Sequence, residues 1–231
     1  MSPRKTQKNL LITGCGRSGT KHVANFLRKA KFQVRHEQMG EGGTVSGPFV
    51  GYGTDAGDIP FNKFQEFGHK GGECANQFEF EHVWHVVRHP LKVIGSLRDV
   101  MLMPVKRWAK EAFGQGIGLG KRGDFRWAIE HYLITTKLAE KISHWRFRVE
   151  DLEERYPEMA ESMGLPVFDI PPVSKTINRN QRTFMMFIPA KEIYASIKYP
   201  TLDDIENEKG KTARNLVARY IKRFEYEEEI E

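Results

Sequence analysis

The sequence predicts an α/β fold in which helices cover both faces of a mostly parallel central sheet, a three-layer α/β/α arrangement. Three observations carry that prediction. Short apolar runs alternate with segments of helical period, the first run ends in a glycine-rich turn that opens a helix, and a later apolar run is followed by a proline suited to a first helical turn. Strands separated by helices return in parallel, through right-handed crossovers.

The elements follow in order. Asn9-Leu10-Leu11-Ile12-Thr13 is the first predicted strand, with the turn Gly14-Cys15-Gly16-Arg17-Ser18-Gly19 behind it. Val23, Phe26, Leu27 and Ala30 then share one face of a helix. Phe32 to His36 reads as a second strand, and Val83 to Val87 as a third, apolar enough to be buried on both faces. Pro90 opens a helix whose face is Leu91, Ile94 and Leu97; Asp124 is a candidate cap for a long helix with Phe125, Ala128, Ile129, Tyr132 and Leu133 on one side. Trp145 to Val149 is a fourth strand, and Asp151 with Glu154 three residues on reads as a capping box for the next helix. A last helix is expected from Thr212 to Phe224.

Two stretches lack such a period. Residues 40–57 hold seven glycines in eighteen positions, with no convincing strand before Glu81, and residues 114–120 alternate glycine with other residues. Nothing resembles a linker between domains. The expectation is a single domain over 1–231, with 40–81 and 114–123 as functional loops or insertions.

Composition narrows the function classes. With 39% hydrophobic and 29% charged residues, the chain is globular rather than disordered or collagenous. Cys15 and Cys74 cannot build a disulfide framework, so a reducing compartment is expected. The apolar stretch behind the basic start is only Leu10-Leu11-Ile12, and no run approaches the ~20 apolar residues of a membrane span, so a cytoplasmic protein without a span is expected. The net charge of +6 points to an anionic partner. Its placement is uneven: from Arg88 to Arg126 there are nine bases and three acids, whereas Glu225 to Glu231 holds five Glu and no base. A nucleic-acid surface would interleave aromatics with those bases; only Trp108, Phe113 and Phe125 are near, and the glycine turn would stay unexplained.

A glycine turn between a buried strand and a helix aims backbone N–H groups and the positive end of the helix dipole at one point, which makes an anion site. The spacing Gly14-x4-Gly19 is that of a Walker A loop, but Thr20-Lys21 inverts the Lys-then-hydroxyl order that such a loop needs. An ammonium has donors only, so Lys21 cannot ligate Mg²⁺. A kinase or nucleotide hydrolase with a divergent loop is one reading; it requires a second acidic metal ligand at a strand end, which the sequence does not display.

Gly16-Arg17-Ser18-Gly19-Thr20 resembles the 5′-phosphosulfate loop of sulfotransferases that use 3′-phosphoadenosine 5′-phosphosulfate (PAPS). Val86-Val87-Arg88-His89-Pro90, with Ser96 eight residues after Arg88, is similar to the 3′-phosphate loop of the same family, and Arg148-Val149-Glu150-Asp151-Leu152 to a late strand-to-helix junction. The first two motifs stand in order, about 70 residues apart, each at the end of a predicted strand. The resemblance implies a P-loop NTPase-like fold and transfer of a sulfuryl group from PAPS to a hydroxyl or amine, with 3′,5′-adenosine bisphosphate (PAP) as product. It implies that Gly16, Arg17, Ser18, Gly19, Thr20, Lys21, Arg88 and Ser96 hold the donor, with Arg17 at the family's catalytic Lys or Arg position. Residues 40–81 and 114–123 then become acceptor-site loops, and the acceptor a small molecule or a saccharide.

The base is the open role. Glu37 is the first choice, as some members of the family place a carboxylate at a similar distance behind the loop; others use His, which makes His36 its rival, and Glu41 is a third candidate. Adjacent strand residues point to opposite faces, so one of His36 and Glu37 is expected to face the site.

Other patterns carry less. Gly118-x-Gly120-x-x-Gly123 has no strand to feed a dinucleotide site. His82, His85 and His89 run along a strand into a loop and do not converge as ligands, so no metal is expected. Cys15, in an anion loop, could have a lowered thiol pKa but reads as a small loop residue. Lys209 to Arg214 is either a further contact to the 3′-phosphate or a solvated helix start.

Overall fold

The computed structural model describes residues 5–59, 74–100, 125–170 and 199–226. Its five strands are β1 (Thr6–Thr13), β2 (Val34–His36), β3 (Gly43–Val45), β4 (Phe78–Val87) and β5 (Trp145–Arg148). They form one sheet in the order β2-β3-β1-β4-β5, with every pairing parallel. Among the described residues six helices accompany them: α1 (Thr20–Lys29), α2 (Pro90–Val100), α3 (Phe125–Ile142), α4 (Leu152–Ser162), α5 (Leu202–Lys209) and α6 (Lys211–Arg223).

The pleat sorts the core. On one face Leu10, Ile12, Val34, Val45, Trp84, Val86 and Phe147 pack with Val23, Phe26 and Leu27 of α1 and with Leu152, Tyr156 and Met159 of α4. On the other, Val87 meets α2, α3, α5 and α6 through Leu91, Ile94, Trp127, Ile129, Ile205, Val217 and Ile221. Leu11 and Val83 join Phe49, Phe78 and Phe80 in a third cluster. Each such side chain, fully buried, contributes about 1.5–3 kcal/mol, so two filled faces hold the sheet between its helices.

The differences from expectation have local causes. β3 lies inside the glycine-rich stretch: Gly43 has φ 143, and a Cβ there would stand 1.9 Å from the Leu10 carbonyl oxygen, so glycine is what lets the strand enter. β4 begins at Phe78 rather than Val83, because Phe78-Glu79-Phe80-Glu81 alternates buried and exposed against the start of β1. The 40–81 stretch therefore contributes a whole strand and the start of another. Asp151 makes no cap bond to α4; its carboxylate is taken instead by Arg148 Nε at 2.7 Å and Nη2 at 2.9 Å. α5, unmarked by a clear period, starts at a capping box of Thr201 and Asp204. The Asp124 cap, the 114–123 loop and all the bases from Lys106 to Arg122 lie outside the described residues. No helix among the described residues is long and apolar enough to cross a membrane.

Candidate anion site at the carboxyl edge of the sheet

β1 and β4 are neighbours, and the helices that follow them leave to opposite faces, α1 to one core and α2 to the other. A crevice opens at the carboxyl ends of two such strands. At that edge stand the turn 14–19, which follows β1, and Arg88-His89, which follow β4.

The turn is held by close approaches on two sides and open on a third. A Cβ on Gly14 would lie 2.4 Å from the Val86 carbonyl oxygen, so the loop rests on β4. Gly19 has φ 91 and would strike Val149 Cγ2 at 2.7 Å, which ties the loop to the end of β5. Gly16 differs: a Cβ there would meet nothing within 4 Å among the described residues, which leave that side of the loop clear. α1 carries no acidic residue in its first turn, and the positive end of its dipole faces the turn unneutralised.

Arg17 adopts φ 76, uncommon for a residue with a Cβ, and its Nε donates to Ser96 Oγ at 2.9 Å. Ser96 is 7% exposed on α2. That one bond brings the two sequence motifs together across the crevice. Arg88 is half-buried at the end of β4, and no partner among the described residues engages its guanidinium. Ser18 is buried, with its N–H donating to the Cys15 carbonyl, whereas Lys21 is exposed on α1.

On the α1 side, Thr20 Oγ1 and His36 Nε2 are 3.1 Å apart. Glu37 has φ 54, which breaks the strand alternation and turns its carboxylate back, so that Oε1 comes to 3.8 Å from His36 Nε2. The two rivals for the base thus stand side by side rather than on opposite faces. Burial lowers the His36 pKa against the raising effect of Glu37, and Lys21 lowers it further, so the ring is neutral at pH 7. Glu41 is elsewhere: its carbonyl accepts from Lys8 Nζ at 3.0 Å, beside the early part of β1 and away from the carboxyl edge.

The remaining groups are structural in their geometry. Burial pushes the Cys15 thiol up to about 12, against a smaller opposing hydrogen bond with Thr135, the reverse of an activated loop thiol. His85 is buried against Phe224 and His89 Nδ1 accepts the Leu91 N–H at 3.2 Å, capping α2, so these rings serve separate places. Lys209 hydrogen-bonds Glu130 of α3, and Arg214 pairs with Glu206 at 3.2 Å, so both cations are held by carboxylates. Glu150 accepts from Tyr226 Oη at 2.6 Å, a partnership 76 residues apart that no sequence pattern marks. Comparison of the chain with protein families, curated proteins and solved structures found no match.

Proposed function

We propose that this chain is a sulfotransferase that moves a sulfuryl group from PAPS to a hydroxyl or amine of an acceptor, without a metal ion. The observation that carries the reading is the Arg17–Ser96 hydrogen bond, because it joins two separately recognisable anion motifs at one crevice. The all-parallel order β2-β3-β1-β4-β5, with helices in both cores, supports a three-layer fold of the P-loop NTPase type.

The residues suit such a donor. The clear space at Gly16 accommodates phosphate oxygens against the loop N–H groups, while Arg88 offers a planar fork for a second phosphate. When bound, PAPS supplies the activated sulfuryl group and PAP as leaving group. Arg17 and the loop N–H groups stabilise charge on the leaving phosphate side. Glu37 takes the acceptor proton, with neutral His36 beside it and tied to Thr20. A nucleotide-triphosphatase reading fares worse, because the hydroxyl nearest the metal-ligand position, Thr20, is one place early and engaged by His36. The basic stretch from Arg88 to Arg126 favours an acidic acceptor, a saccharide among them.

Calorimetry with PAP and with ATP, each with and without Mg²⁺, tests the donor assignment. Metal-independent binding of PAP is the expected result; binding of Mg²⁺-ATP alone would overturn it. Transfer of labelled sulfate to a panel of hydroxyl and amine acceptors then identifies the acceptor class.

A further inference from the structure

Tyr226 stands three residues beyond the end of α6. Glu225 takes φ 60 and the Tyr226 N–H donates to the Ile221 carbonyl at 3.0 Å, so the chain turns sharply off the helix end. The turn is fastened to β5: Arg148 Nη1 donates to the Glu225 carbonyl at 3.0 Å, while the same guanidinium grips Asp151 and lies 5.6 Å from the centre of the Tyr226 ring. Tyr226 Oη donates to Glu150 Oε2 at 2.6 Å. Burial, then the bond to Glu150, raises the phenol pKa, so it stays a donor across the physiological range.

Held in this way, the ring rests on His89, with centroids 5.1 Å apart. His89 is the residue on which α2 is started: its Nδ1 accepts the Leu91 N–H at 3.2 Å and its carbonyl accepts the Val93 N–H at 3.1 Å. Immediately before it stands Arg88, and further along α2 stands Ser96, the partner of Arg17. Packing of this kind limits the rotamers of the supporting ring and, through it, the backbone that presents Arg88.

We propose that Tyr226 is a positioning residue: anchored by Glu150 and Arg148, it holds His89 and so fixes Arg88 and the first turn of α2 for the 3′-phosphate of the donor. This rests on the reading of Arg88 as a ligand of that phosphate. Tyr226 itself touches no reacting group in this scheme. The clasp joins the ends of β4 and β5 to the turn that follows α6, so that turn sets donor affinity from outside the crevice.

The test compares Tyr226→Leu and Tyr226→Phe with the wild-type chain, titrating PAP and adenosine 5′-monophosphate, which lacks the 3′-phosphate, and following hydrogen exchange at Leu91 and Val93. In Tyr226→Leu, affinity for PAP falls by about tenfold while that for the monophosphate stays within about twofold, and the Leu91 amide exchanges faster. Tyr226→Phe keeps the ring on His89 but loses Glu150, and shows a smaller loss of about threefold, which keeps the test usable if the leucine variant fails to fold. Equal losses for both nucleotides would reduce Tyr226 to a general structural role and overturn the proposal. Unchanged Leu91 exchange in Tyr226→Leu overturns it whatever the ligand result. A wild-type chain that binds neither nucleotide overturns the donor assignment first, and the proposed role with it.

Discussion

Arg17 Nε donates to Ser96 Oγ at 2.9 Å, across 79 residues of sequence. The bond spans the gap between the turn after β1 and the helix after β4, and it steadies an arginine whose backbone sits at φ 76. A hydrogen bond to a charged group contributes about 1.5–3 kcal/mol. Ser96→Ala is therefore expected to weaken PAP binding by about tenfold in calorimetry. Arg17→Ala should act on turnover instead, lowering kcat by about 10²–10³ with smaller change in donor affinity. A Ser96→Ala chain with unaltered affinity would remove Ser96 from the site.

Glu37 and His36 can be separated kinetically. Glu37→Gln keeps size and removes the base, and is expected to lower turnover by about 10²–10⁴ with PAP affinity retained. His36→Gln should cost less, since its role is to hold Thr20 and neighbour the carboxylate. The reverse order of effects would assign the proton transfer to His36.

Gly14 and Gly16 should behave oppositely. In Gly14→Ala the new methyl would stand 2.4 Å from the Val86 carbonyl, and overpacking of this kind costs about 1–3 kcal/mol, visible in urea denaturation. In Gly16→Ala it would enter open space, leaving stability within about 0.5 kcal/mol, but it occupies the side of the loop where an anion would sit. A loss of PAP affinity of about a hundredfold is expected there. Undiminished binding by Gly16→Ala would place the anion elsewhere.

Two buried histidines make stability depend on pH. Burial depresses the pKa of His85 to about 3, with Arg146 and Arg223 adding to the shift, and burial depresses that of His131 to about 3. Above about pH 6.5 neither folded nor unfolded chain protonates them. Below it the unfolded chain takes up protons that the folded chain refuses, so stability falls between about 6.5 and 3, by up to about 1.4 kcal/mol per pH unit for each ring. Urea denaturation at pH 7, 6 and 5 should show the decline, and it should be shallower in His85→Gln and His131→Gln. An equal slope in the variants would mean that the decline belongs to other groups.

Cys15 should resist alkylation. Its thiol is buried and pushed up to about 12, and burial raises that of Cys74 as well. Iodoacetamide at pH 8 is expected to modify neither in the native chain and both after unfolding, by mass spectrometry. Rapid native labelling of Cys15 would show an open, activated loop thiol instead.

Much of the fold is written in short stretches. β1 with its turn and α1, the Val83 to Val87 run with Pro90, and the Trp145 strand each combine an apolar period with a local breaker, and each forms where expected at its carboxyl end, while β1 starts three residues and β4 five residues before the apolar run that marks it. β3 was not legible because three residues carry no period and Gly43 is required by the approach of Leu10, a partner 33 residues away. The charge of Asp151 reads as a helix cap only until Arg148 competes for it. Glu41 stands near Glu37 in sequence, yet the return of the chain from β2 to the start of β3 carries it toward Lys8.

By itself the sequence determines the turn 14–19, the parallel α/β plan and the strand ends that carry Arg17 and Arg88, because strand period, glycine turns and helix starts depend on neighbouring residues. Only the tertiary structure decides that Arg17 meets Ser96, that the φ of Glu37 brings it beside His36, and that Tyr226 rests on His89. Those relations depend on where β1, β4, β5 and α6 end relative to one another. Their ends are set by the filling of two cores on opposite faces of the sheet, and no local pattern encodes that sum.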